Sequence, residues 1–145
     1  MADIVDTKTR SRMMRAIPAK DTKPEKLIRS ALHRRGYRFR LHRKHLPGKP
    51  DITLPRFRAV ILVHGCFWHR HGCRLTASPG SNNEFWSRKF EANVSRDARQ
   101  RYALLDLGWR IGIIWECAIR DHGADEIVRR LEPWLHDGAQ EISIP

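Results

Sequence analysis

The apolar positions of the chain change their repeat several times, and each change marks an element. Leu27, Ile28, Ala31 and Leu32 recur at the spacing of one helix face. Asp21-Thr22-Lys23-Pro24-Glu25 stands ahead of them, with a capping residue, a proline near the first helical position and an acid facing the helix dipole. Gly36 supplies the stop. Bulky and basic residues alternate over 37–41, as in a half-buried strand. Leu46-Pro47-Gly48-Lys49-Pro50 reads as a loop, since the residue before each proline is driven out of the helical region. Residues 51–54 and Ala59–His64 read as two strands joined by a short turn at 55–58. Ala59-Val60-Ile61-Leu62-Val63 is continuously apolar, so it belongs in the middle of a sheet covered on both faces. A long helix is predicted over 84–107, with Phe85, Trp86, Phe90, Val94, Tyr102 and Leu105 among its larger residues and Gly108 at its end. Residues 109–115 form a third buried strand, placing Trp109 and Trp115 in the core. A last amphipathic helix over 124–136 buries Ile127, Val128, Leu131 and Leu135. The order α-β-β-β-α-β-α predicts an α/β fold: a small mixed sheet with helices on both faces.

With 145 residues the chain suffices for a single core. Its expected organisation is a basic N-terminal arm over 1–20, a domain over 21–137 and a C-terminal tail over 138–145. The arm carries Lys8, Arg10, Arg12, Arg15 and Lys20 around Met13 and Met14. No apolar run approaches the length of a membrane span, and the N-terminus is polar, so a cytoplasmic protein without a membrane partner is expected. Charge adds more: 28 Lys and Arg against 16 Asp and Glu give a formal net charge of +12. Such an excess favours a polyanion, because neutralising phosphates releases their counterions.

His64-Gly65-Cys66-Phe67-Trp68-His69-Arg70-His71-Gly72-Cys73 packs two cysteines and three histidines into ten residues. A lone cysteine or histidine is usually core packing, but five ligand-type side chains so close together point to a metal. An odd number of cysteines, three in all, argues against a disulfide framework. Cys117 follows the last predicted strand, where the fold can return it to this loop. Three thiolates and one imidazole satisfy a closed structural zinc site, although spacing alone does not choose the histidine. The histidines left over are candidates for acid–base chemistry.

Alone, Asp51 after Pro50 would be ordinary turn chemistry, and Glu25 would simply complement the helix dipole. In so basic a protein, a carboxylate beside bound phosphate must either repel it or hold a bridging cation. Mg2+ commonly uses one or two carboxylates plus substrate phosphate. If the strand of Asp51 forms a hairpin with Ala59–His64, the carboxylate comes near Leu62 and Val63 at one edge of the sheet.

Pro50-Asp51, His64-Gly65-Cys66-Phe67-Trp68-His69 and the stretch from Trp109-Arg110-Ile111 to Trp115-Glu116-Cys117-Ala118 together resemble the very-short-patch repair (Vsr) mismatch endonucleases. So do Met14-Arg15-Ala16-Ile17, Asp21-Thr22 with Glu25, and Phe85-Trp86 with Lys89, Asn93, Arg96 and Asp97. The resemblance runs to about Trp134. It implies a restriction-endonuclease-like fold with a central mixed sheet, and strand-specific nicking 5′ of the thymine in a T:G mismatch, the product of 5-methylcytosine deamination. It further implies that Asp51 and the backbone carbonyl of Val63 hold Mg2+ and that His69 is the general base. Glu25, His64 and Asp97 would support that base through bound waters and hydrogen bonds. Cys66, His71, Cys73 and Cys117 would bind structural zinc. Phe67, Trp68 and Trp86 would wedge into the base stack, Met14 would clamp the opposite groove, and Lys89 and Asn93 would lie near the mismatched bases. The family often has threonine where Val63 stands, a change that a backbone carbonyl survives. The implied partner is mismatched double-stranded DNA, with mismatch-repair proteins as further candidates, and a monomer suffices for a single nick.

Three other readings compete. A nuclease of the same fold could cut matched or modified DNA in restriction. A zinc module could bind DNA without catalysis, but would need none of Asp51, Glu25 or a spare histidine. A metal-dependent RNase would stack aromatics on single-stranded bases.

Overall fold

The structure is a computed structural model that describes residues 22–66 and 83–145. The basic arm and most of the Cys/His block, including Met14, Phe67, Trp68, His69, His71 and Cys73, lie outside the described residues. Helix α1 spans Lys23–Arg34. Its first turn is closed by a reciprocal capping box: the Thr22 hydroxyl accepts the Glu25 N–H at 3.5 Å, and the Glu25 carboxylate accepts the Thr22 N–H at 2.6 Å. Gly36, with φ of +86°, supports the chain reversal behind the helix.

Strands β1 (Arg40–Leu41), β2 (Ile52–Leu54) and β3 (Ala59–His64) form an antiparallel meander, with Leu41 opposite Ile52 and Ile52 opposite Ile61. Helix α2 (Asn83–Asp106) leads to β4 (Arg110–Trp115), which runs parallel to β3 from Ala59 opposite Arg110 to His64 opposite Trp115. Helices α3 (Glu116–His122) and α4 (Ala124–Asp137) then lead to β5 (Glu141–Ile144), parallel to β4. The sheet is mixed, five-stranded and ordered β1-β2-β3-β4-β5.

Two of these elements escape the apolar pattern. Helix α3 is short, and Gly123 at φ +82° separates it from α4, so one long apolar repeat never develops. The segment read as a tail supplies β5, whose four residues are too few to declare a period. There Ile144 is buried in the core and Ile142 packs against it.

Alternation along β3 and β4 divides the interior into two layers. Ala59, Ile61 and Ile114 join Ile28 and Leu32 of α1 and Ile127, Leu131 and Trp134 of α4. On the opposite face Val60 and Ile111 pack with Leu104 of α2 and Leu46. Burial of each valine, leucine or isoleucine among them contributes about 1.5–3 kcal/mol. The two tryptophans assigned to the core are only partly buried. Trp109 packs against the second layer under the Arg58 guanidinium, and Trp115 at the strand end donates to Ser143 Oγ at 3.1 Å. Among the described residues, no helix is long and apolar enough to cross a membrane.

Candidate active site

Glu25, His42 and Asp51 meet at one edge of the sheet, each offering a ligand atom within 4.8 Å of the others. Three separate elements position them. Glu25 is buried in the first turn of α1, fixed by its capping bond to Thr22. Asp51 precedes β2, and its Oδ2 accepts the Val63 N–H of β3 at 2.7 Å, where hairpin pairing brings that strand alongside. His42 follows β1 and continues the ladder, its N–H donating to the Asp51 carbonyl at 3.4 Å. Its φ of +46° breaks the strand alternation at this point.

The electrostatics of the two carboxyls are linked by a mutual hydrogen bond. Burial, then the hydrogen bond and charge of Glu25, push Asp51 up to about 8, against the opposing pull of the Val63 N–H and Arg29. Burial also disfavours ionised Glu25, but the hydrogen bonds from Asp51 and Thr22 outweigh it and hold Glu25 below its usual range. Two acids this close cannot both ionise without compensation, so they share a proton or hold a cation. Two carboxylates and an imidazole are a donor set suited to a divalent ion. Arg29 donates to His42 Nε2 at 3.1 Å.

Nothing in its local sequence marks His42 as a site residue. Its histidine sits in the basic run Arg38–Lys49 with no local motif, and only the β1–β2 register sets it beside Asp51. His64 and Asp97 do not belong to this three-residue group. His64 ends β3, buried, with its ring edge-on to Trp115 at 5.1 Å, and Asp97 is partly buried on α2. Cys66 and Cys117 are both buried. They stand two residues beyond the last paired positions of β3 and β4, so parallel pairing carries them to the same end of the sheet.

On α2, Trp86 is buried and stacks on Phe90 at 5.8 Å, while Phe85 is exposed beside it. The Lys89 ammonium lies 5.7 Å from the Trp86 ring centre, and Asn93 accepts a hydrogen bond from Arg96 at 2.9 Å.

A family model described as DNA mismatch endonuclease Vsr matches residues 2–75, a range that includes the Glu25–His42–Asp51 group. The chain is 51% identical over 126 residues to the type II nicking enzyme V.XorIIP of Xanthomonas oryzae pv. oryzae, covering 87% of this chain and 93% of that protein. It is 46% identical over 138 residues to the DNA mismatch endonuclease Vsr of Escherichia coli, covering 93% and 88%. A type II nicking enzyme of Neisseria meningitidis, V.NmeAIP, is 40% identical over 121 residues, covering 83% and 86%.

Proposed function

The chain belongs to the family of the Vsr DNA mismatch endonucleases, and on that premise we propose that it nicks one strand of duplex DNA, with Mg2+, 5′ of the thymine in a T:G mismatch. The observation that carries this reading is the Glu25–Asp51 pair against the Val63 N–H, a concentration of buried acid in a protein of net charge +12. Asp51 and the Val63 carbonyl would hold the ion. Their closeness on adjacent strands supports this, since the amide of Val63 already docks on the Asp51 carboxyl. When bound, Mg2+ supplies a Lewis acid that offsets charge on the scissile phosphate.

The remaining work falls to the chain's own groups. His69 would take the proton from the attacking water, with Glu25, His64 and Asp97 orienting the participants through hydrogen bonds. Cys66, His71, Cys73 and Cys117 would hold structural zinc, a reading supported by the shared sheet end of Cys66 and Cys117. Phe67, Trp68 and Trp86 would enter the base stack, with Lys89 and Asn93 near the bases and Met14 in the N-terminal arm clamping the other groove. Wedging costs a few kcal/mol of unstacking, least where pairing is already imperfect, so intercalation itself favours a mismatch. The mixed sheet with its acidic edge suits a restriction-endonuclease-like fold, and a monomer suffices for one nick.

The test is cleavage of a labelled duplex with one T:G mismatch, beside matched T:A and C:G duplexes, in Mg2+ or EDTA. The expected result is Mg2+-dependent cutting of the thymine strand alone, lowered at least about a thousandfold in Asp51→Ala. Equal cutting of all three duplexes would overturn mismatch selection, and undiminished cutting in EDTA would overturn the metal requirement.

A further inference from the structure

We propose that His42 is a third protein ligand in this centre, joining Glu25 and Asp51 in a mixed nitrogen–oxygen site that holds a divalent transition ion such as Mn2+ more tightly than Mg2+. The assignment rests on the reading of Asp51 as an ion ligand and adds to it Glu25 and His42 as direct ligands and a metal preference.

Geometry is the first support. Donor atoms about 2.0–2.2 Å from one ion are about 3 Å apart at right angles and up to about 4.4 Å apart across it. The three donors of this site already lie within 4.8 Å of one another, so rotation of the side chains about their own bonds suffices to bring them towards one ion. Backbone attachment is the second support. The Asp51 carbonyl receives the His42 N–H while the Asp51 carboxyl receives the Val63 N–H, so β1, β2 and β3 hold two of the ligands in one register. Capping of α1 fixes the third.

The third support is the state of the imidazole. A guanidinium can only donate, so the contact from Arg29 means that His42 Nε2 carries a lone pair, as a metal-binding imidazole nitrogen must. If the ion takes Nε2, the long Arg29 side chain can give way by rotation about its own bonds. Ligand chemistry then sets the preference: Mg2+ takes oxygen ligands and sheds water reluctantly, whereas Mn2+ shares its liking for carboxylates but, as a transition ion, accepts an imidazole nitrogen more readily than Mg2+ does.

The test is calorimetric titration of the full-length protein, purified without chelator, with Mn2+ and separately with Mg2+. Wild type, His42→Gln and Asp51→Ala would be compared. In wild type, Mn2+ is expected to bind at least about tenfold more tightly than Mg2+. His42→Gln is expected to lose about tenfold or more of the Mn2+ affinity while Mg2+ affinity stays within about threefold. Unchanged Mn2+ affinity in His42→Gln, with loss of both ions in Asp51→Ala, would overturn the role of His42 and leave the carboxylate reading standing. Retention of both ions in Asp51→Ala would instead overturn the underlying reading.

Should His42→Gln misfold by circular dichroism, His42→Asn is the substitute, since asparagine tolerates the left-handed backbone. Pulsed EPR of Mn2+ bound to wild type and to His42→Asn gives a second readout. Histidine nitrogen coupling present in the wild type and lost in the variant is expected, and coupling that is absent from the wild type or unchanged in the variant would overturn the proposal.

Discussion

Asp51 and Glu25 share one hydrogen-bonded contact but are driven in opposite directions. The Asp51 carboxyl is pushed up to about 8 from an ordinary value of 3.8, whereas Glu25 is held low. In the unfolded chain Asp51 ionises near its ordinary value; in the folded protein it keeps its proton until about pH 8. Its contribution to stability is therefore complete below about pH 4 and lost as pH rises towards 8. Glu25 acts oppositely, with a contribution lost only as the solution becomes acidic. Asparagine reproduces the protonated aspartate, accepting the Val63 N–H through its carbonyl and donating to Glu25 through its amide. Asp51→Asn, studied in chelator, should thus be more stable than wild type at pH 8 by roughly 1–3 kcal/mol, and the gap should shrink towards pH 4. Thermal unfolding across that range measures it, and a gap that does not vary with pH would refute the shared proton. Both carboxylates were visible in the sequence because each sits at an element boundary with a recognisable neighbour, Thr22 or Pro50. His42 has no such neighbour.

At the scale of elements, Arg110 joins three segments that are distant in sequence. Its guanidinium donates to the carbonyls of Trp134 and Leu135 at 2.8 Å each and to that of Phe57 at 3.0 Å, and it lies 4.8 Å from the Trp134 ring centre. Trp134 and Leu135 fall in the last turn of α4, where carbonyls lack helical partners, so β4 supplies the cap for α4. Arg110→Met keeps much of the aliphatic stem but strands these acceptors. It should destabilise the fold by about 2–4 kcal/mol, read by urea denaturation, with an unchanged midpoint counting against the cap. The same ring crowds Gly112 of β4: a Cβ there would stand 3.2 Å from Trp134, whose indole is tied to the Ala139 carbonyl at 2.8 Å, so a larger residue would have to push the ring aside by a few tenths of an ångström. Neither dependence is legible in the sequence, because a single arginine or glycine in a strand has no sequence signature of its distant partner.

For the whole molecule, the excess of positive charge and the family membership point to the same partner, DNA. Each phosphate neutralised contributes about 0.9 to the slope of log affinity against log salt. Duplex binding by the Asp51→Ala variant should accordingly weaken at least about a hundredfold between roughly 50 and 200 mM salt, as measured by fluorescence anisotropy. A tenfold loss or less would mean that few phosphates are contacted and that the charge serves another purpose. The acidic edge of the sheet is then the exception within a basic molecule. Placing carboxylates there costs phosphate affinity unless a cation lies between, which is why the charge balance and the site belong to one account.

The sequence alone determined what depends on local repeats and neighbours. The capped start of α1, the doubly covered β3, the long α2 and the amphipathic α4 follow from periods of two and 3.6 and from Thr, Pro and Gly at their boundaries. Distant motifs in order likewise identified the family. Tertiary structure decided what depends on pairing. It made a strand of Glu141–Ile144, set Cys66 and Cys117 at one end of the sheet and drew His42 to Asp51. The physical reason is the same each time: strand register is a contact between segments far apart in the chain, and no window of sequence contains both partners.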